Sequence, residues 1–151
     1  MSKAQLLTLL LAVIGLSSFV VLRVHAIEDK PKAGKERFFE MRTYIAAPGK
    51  LDALNARFRN HTNKLFVKHG MELIGYWTPT DGPAAANTLV YILAYPDRDA
   101  REKSWKAFQD DAEWKRVRTE SEADGKLVEK VESVYLKPTD YSPIKDRKSV
   151  V

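Results

Sequence analysis

A chain of 151 residues is long enough for one domain with a real core, and 44% hydrophobic with 30% charged content is the balance of a globular protein rather than a disordered one. The absence of cysteine excludes disulfides, thiolate catalysis and cysteine-ligated zinc. The net charge of +5 falls to +3 when Lys3 and Arg23, the two charges of the N-terminal leader, are set aside; the remaining charges are interspersed, so nucleic acid is not an expected partner.

Residues 1–26 read as a targeting segment. Lys3 supplies the positive start, Leu6–Leu22 (LLTLLLAVIGLSSFVVL) carries no charge, and Val24-His25-Ala26 offers a small-residue cleavage site. The competing reading is an uncleaved membrane anchor, since an uncharged run of 17 residues approaches the roughly 20 needed to span a bilayer. The cleaved signal is favoured by Ala26 and by the softening Gly15, Ser17 and Ser18. Either way the folded part is expected outside the cytoplasm, periplasmic or secreted if cleaved and membrane-anchored if not. Residues 27–36, polar with Pro31 and Gly34, read as a linker.

Phe38–Lys50 (FFEMRTYIAAPGK) opens the domain, 37–138. Its first half alternates, with Phe39, Met41 and Thr43 on one face and Phe38, Glu40, Arg42 and Tyr44 on the other. Pro48-Gly49 stops this strand. Lys50–His69 reads as one helix with an apolar stripe at Leu51, Leu54, Phe58, Thr62, Leu65 and His69, ended by Gly70. Met71–Thr78 is a second strand and Leu89–Tyr95 a third, with Tyr91, Leu93 and Tyr95 on one face. Asp97 caps a helix from Arg98 to about Gln109. Asp110 with Glu113 suggests a capping box for a shorter helix ending near Gly125, with Trp114 and Val117 turned inward. Leu127–Lys137 is the fourth strand, closed by Pro138; residues 139–151 form a tail.

The order strand, helix, strand, strand, helix, strand predicts an α+β fold of the ferredoxin-like, split βαβ kind: one antiparallel sheet with helices on one face. The other face must be covered. The polar-aromatic face with Tyr44, Trp77, Tyr91 and Tyr95 is the expected open one, pairing with a second copy into a homodimeric α+β barrel.

Glu40 and Arg42 stand two apart on one strand face. Arg42 could hold an anionic ligand while Glu40 orients it or acts as a base; the plainer reading is that they pair with each other or with the partner sheet. His61 flanks the helical stripe as an acid–base candidate or, by default, a structural hydrogen-bonder, and His69 reads as a helix-end cation. Glu40 and His61 are thus the candidate catalytic residues. Arg42, Tyr44, Trp77, Tyr91 and Tyr95 are the candidate ligand-binding residues, and Trp105 and Trp114 read as core. No metal set, phosphate loop or nucleophile elbow is present in the sequence, so no metal and no cofactor are expected.

The pieces FEMRTYIAAPGKLDAL, FRNHTNKLFVKHGMELIGYW, NTLVYILAYPD, Asp111–Trp114 (DAEW) and YLKPTDYSP, in this order and spacing, resemble the NIPSNAP family over about Phe39–Pro143. The resemblance implies the dimeric α+β barrel already read from the element order. Related barrels include cofactor-independent monooxygenases and haem-degrading enzymes. The family pattern in strand three is often His-x-Trp-x-Tyr; here it is Tyr91-x-Leu93-x-Tyr95, without that histidine. The expected function is therefore a homodimeric, small-molecule-binding or stress-associated module. The alternative is a cofactor-independent monooxygenase- or isomerase-like enzyme with its site inside the barrel. In both, ligand lies between sheet and helices.

Overall fold

The computed structural model describes residues 37–144. The expected leader, the linker and the last residues of the tail lie outside them. Strand β1 (Phe38–Ala46) pairs antiparallel on both sides, with β3 (Thr88–Tyr95) and with β4 (Val128–Leu136). Strand β2 (Glu72–Trp77) pairs antiparallel with β3, giving the order β2-β3-β1-β4. β1 and β2 therefore run in the same direction with β3 between them, and the chain crosses from one to the other through a helical segment. This is the α+β, ferredoxin-like arrangement predicted from the element order.

That crossover is not one uniform α-helix. It runs as α1 (Leu51–Arg57), a π-helical turn (Phe58–Thr62) and α2 (Asn63–Lys68). A π turn inserts an extra residue into the ladder, and here Thr62 Oγ1 donates to the Arg57 carbonyl at 3.3 Å across it. Arg57 and Phe58 are consecutive, yet both are buried. Gly70 ends α2 as expected. With φ of +79° it adopts the left-handed conformation that favours glycine. Its N–H bonds the Val67 carbonyl at 3.0 Å, and the Met71 N–H bonds that of Phe66 at 3.0 Å. This is a Schellman closure whose apolar clasp, Phe66 with Met71, lies in the core.

Helix α3 (Arg98–Asp110) is capped by Asp97, whose side chain accepts from the Ala100 N–H at 2.9 Å. Helix α4 (Ala112–Ser121) is capped one residue later than the capping-box pattern suggests. Asp111 Oδ1, not Asp110, accepts from the N–H groups of Glu113 (2.7 Å) and Trp114 (3.3 Å). Asp110 is still helical and pairs with Lys106 at 2.5 Å on the surface. His69, expected as a plain helix-end cation, instead lies 2.7 Å from Asp111 Oδ2 and ties the end of α2 to the start of α4. Among the described residues no helix is long and apolar enough to cross a membrane.

The two sheet faces are exchanged relative to the expectation. The face with Glu40, Arg42, Tyr44, Tyr91 and Tyr95 lies under the helices. Tyr44 meets Phe58 of the π turn at 5.8 Å, Phe66 of α2 meets Tyr91 at 6.0 Å, and Trp105 of α3 bonds Glu40. Leu54, Phe66, Tyr91, Leu93 and Leu127 form the fully buried centre. The open face carries Met41, Thr43, Val90, Ile92 and Val134 by register. Trp77, opposite Val90 in the β2–β3 register, belongs to it as well and is 51% exposed. Its indole lies over Gly75, so close that a Cβ there would come within 2.6 Å of the ring. At one end of this face Arg37 lies 4.9 Å over the Phe39 ring and pairs with Glu72 at 2.9 Å.

Candidate functional site

β1 brings Glu40 to the centre of the helix-facing side of the sheet, with no exposed surface. A buried carboxylate survives only with donors around it, and here they converge from three elements. Arg42 Nη1 of β1 donates to Oε1 at 2.8 Å. Arg101 of α3 donates through Nη2 to Oε1 at 2.7 Å and through Nε to Oε2 at 3.0 Å, the two-pronged guanidinium geometry. Trp105 Nε1 shares its one proton between Oε2 (2.9 Å) and the Tyr95 hydroxyl (2.8 Å), and that hydroxyl donates on to Oε2 at 3.3 Å. Burial alone would push the Glu40 carboxyl up, but the hydrogen bonds and charges of Arg101 and Arg42 override it and hold it at about 2. A carboxylate so acidic and so fully engaged is a weak base. The plainer reading of the Glu40–Arg42 pair is the one the geometry supports, with Arg101 and Trp105 as partners the sequence did not reveal.

Beside this cluster, between the β4 side of the sheet and helices α3 and α4, lies a cavity of about 550 Å³, within the size range of small-molecule sites. Arg42 and Tyr44 reach it from β1, Arg57 from α1, and Trp105, Phe108 and Trp114 from α3 and α4. Its walls are ordered by ring packing, with Phe108 and Trp114 at 4.4 Å and Trp105 and Phe108 at 5.7 Å. The Arg42 guanidinium lies 4.2 Å over the Trp105 ring and 5.6 Å from that of Tyr44. Arg57 lies 5.3 Å over Trp114 and pairs with Glu122 at 2.9 Å. The mouth carries the exposed cations Lys115, Arg118 and Lys126 beside Glu122 and Glu129.

Of the residues singled out from the sequence, Arg42 and Tyr44 line this cavity. Tyr95 is held in the Glu40 cluster. Tyr91 is fully buried between Tyr44 (5.3 Å), Phe58 (5.2 Å) and the stacked Tyr76 (5.5 Å). Burial pushes the hydroxyls of Tyr91 and Tyr95 well up, so both stay neutral. Trp77 is on the opposite face of the sheet. His61, on the π turn, lines a separate shallow hollow with Arg57, Asn60, Val117 and Glu120. Of Trp105 and Trp114, both core by their sequence pattern, Trp105 is buried, and both also form cavity wall. Arg57 carries no sequence signal of its role, because a helical residue beside the apolar stripe gives no sign of burial until a second helix covers it. Among the described residues no group of three or more His, Asp or Glu side chains could hold a metal ion.

The NIPSNAP family profile matches residues 39–143. A NIPSNAP family protein of unknown function from Agrobacterium tumefaciens strain C58 is 27% identical; the alignment covers 73% of this chain and 95% of that one, with a TM-score of 0.63. An uncharacterised NIPSNAP-like domain protein from Burkholderia xenovorans is 21% identical over 74% of this chain and 92% of its own, with a TM-score of 0.64. A monooxygenase of Streptomyces coelicolor, solved with nanaomycin D, shares the fold at 15% identity, covering 72% of this chain and 92% of that one with a TM-score of 0.51. No curated protein matches the sequence. The profile match spans nearly the whole of the described chain, and the protein belongs to the NIPSNAP family.

Proposed function

We propose that this protein is an exported, homodimeric module that binds a small molecule between its sheet and helices, without catalysing a reaction on it. The observation that carries the reading is the cavity itself: aromatic walls held in place by ring packing, with a stacked guanidinium at its edge. A binding site needs shape, apolar surface and a few placed polar groups, and Arg42 with Tyr44 supplies the latter. An enzyme of the cofactor-independent kind needs a titratable group beside the substrate. Glu40 is saturated with donors and His61 lies in another hollow, which weighs against that alternative despite the fold shared with a monooxygenase.

Dimerisation is proposed through the open sheet face, where Met41, Val90, Ile92 and Val134 present an apolar surface of the kind that stable oligomers cover. The test is a small-molecule thermal-shift screen on the parent and on Arg42→Ala, with light scattering run alongside. A compound at a hundredfold its dissociation constant should stabilise the fold by about 2.7 kcal/mol. The reading predicts hits that disappear in Arg42→Ala while the dimer persists. Turnover of a hit that is lost in Glu40→Gln or His61→Ala with binding intact would establish the enzyme instead. A clean monomer at micromolar concentration would remove the dimer from the proposal.

A further inference from the structure

We infer that the ligand of this cavity is a planar aromatic anion, a ring system bearing a carboxylate, a conclusion that rests on the binding role proposed above and narrows its chemistry. Two features of charge argue for it. Five cationic side chains line the cavity and its mouth against two anionic ones. Deeper in, one carboxylate, Glu40, is shared by two guanidiniums, those of Arg42 and Arg101. Arg101 also reaches Glu102, but that carboxylate is 56% exposed and well solvated, so the buried cluster retains positive charge.

Arg42 is the group placed to use that charge. A guanidinium offers five N–H donors. Its hydrogen bond to Glu40 engages Nη1, and the side chain keeps 14% of its surface exposed where it lines the cavity. Stacking on Trp105 fixes the plane of the fork, so little freedom is lost when a carboxylate docks. The remaining walls, Tyr44, Phe108 and Trp114, are rings, and a flat conjugated ligand stacks on them with the least loss of contact. Lys115, Arg118 and Lys126 at the mouth favour the approach of an anion, an attraction that salt screens.

The experiment compares 2-naphthoate with uncharged 2-naphthamide, two probes of nearly equal size and ring surface. Binding is followed by calorimetry and by tryptophan quenching in a Trp77→Phe background, which leaves Trp105 and Trp114 as reporters in the cavity wall. The expected result is naphthoate binding at least about tenfold tighter than the amide, the scale of one charge-assisted contact. Arg42→Gln should shrink that ratio to about threefold or less. The exposed pair Lys115→Glu with Lys126→Glu should weaken naphthoate severalfold at low salt and leave the amide unmoved. Amide binding as tight as naphthoate overturns the anion inference and leaves the binding role standing. No saturable change with either probe overturns both. If Arg42→Gln does not fold, the mouth variant decides: unchanged naphthoate affinity at low salt overturns the inference.

Discussion

Replacing Glu40 with glutamine keeps the shape of the side chain and removes its charge, while presenting an amide NH₂ to a shell made of donors. The same arginine contacts set the expected cost in two ways. Leaving the part-buried Arg42 and Arg101 without their fully buried carboxylate removes one partner of a largely buried ion pair, which costs on the order of 3 kcal/mol. The carboxyl is held at about 2 against an ordinary 4.5. At about 1.4 kcal/mol per pKa unit, that difference corresponds to roughly 3 kcal/mol of stability. Both put the cost on the order of 3 kcal/mol, a fall in Tm on the order of 10 °C for a domain of this size. The pH dependence has a definite sign. The folded-state pKa is depressed, so the contribution is complete above about 4.5 and is lost as pH falls toward about 2. Urea unfolding of parent and Glu40→Gln from pH 7 to pH 2 should show curves separated at neutral pH and converging through that window. A Glu40→Gln protein within about 0.5 kcal/mol of the parent at pH 7, or a gap that does not close on acidification, would refute the cluster as the central polar support of the fold.

Other expectations follow from single contacts. Trp105→Phe keeps a ring beneath Arg42 but removes the one N–H that serves both Glu40 and Tyr95, and should cost about 1–3 kcal/mol in denaturant unfolding. Asp111→Ala should lower the unfolding midpoint, because it removes the cap of α4 and the partner of Lys68 and His69, whereas Asp110→Ala should leave it nearly unchanged. Gly75→Ala should displace the half-exposed Trp77 ring rather than the backbone, seen as a change in tryptophan emission with little loss of stability. Intact mass of protein recovered from the producing cells should begin at Ile27; a mass retaining Met1 in the membrane fraction would establish the anchor instead.

Local chemistry in the sequence determined the elements. Alternation in β1 and β3, the turn at Pro48-Gly49, the Asp97 cap and the left-handed Gly70 each act over a few residues, and all are where the pattern puts them. The strand and helix order then points to one antiparallel sheet with helices on one side. Which side was decided only in three dimensions. A period of two separates Glu40, Arg42 and Tyr44 from Phe39, Met41 and Thr43, but it is symmetric and does not say which set the crossovers cover. A face carrying Glu and Arg looks like the wet one, because the partner that makes its burial tolerable, Arg101, lies 61 residues away and Trp105 lies 65. The same distance in sequence hid the cavity. Arg42 and Tyr44 stood out on their strand, whereas Arg57, Phe108 and Trp114 gain meaning only when α1, α3 and α4 close around the same space. Charge and aromaticity are properties of residues; burial, partnership and enclosure belong to the packed chain, since they depend on neighbours that the tertiary fold supplies.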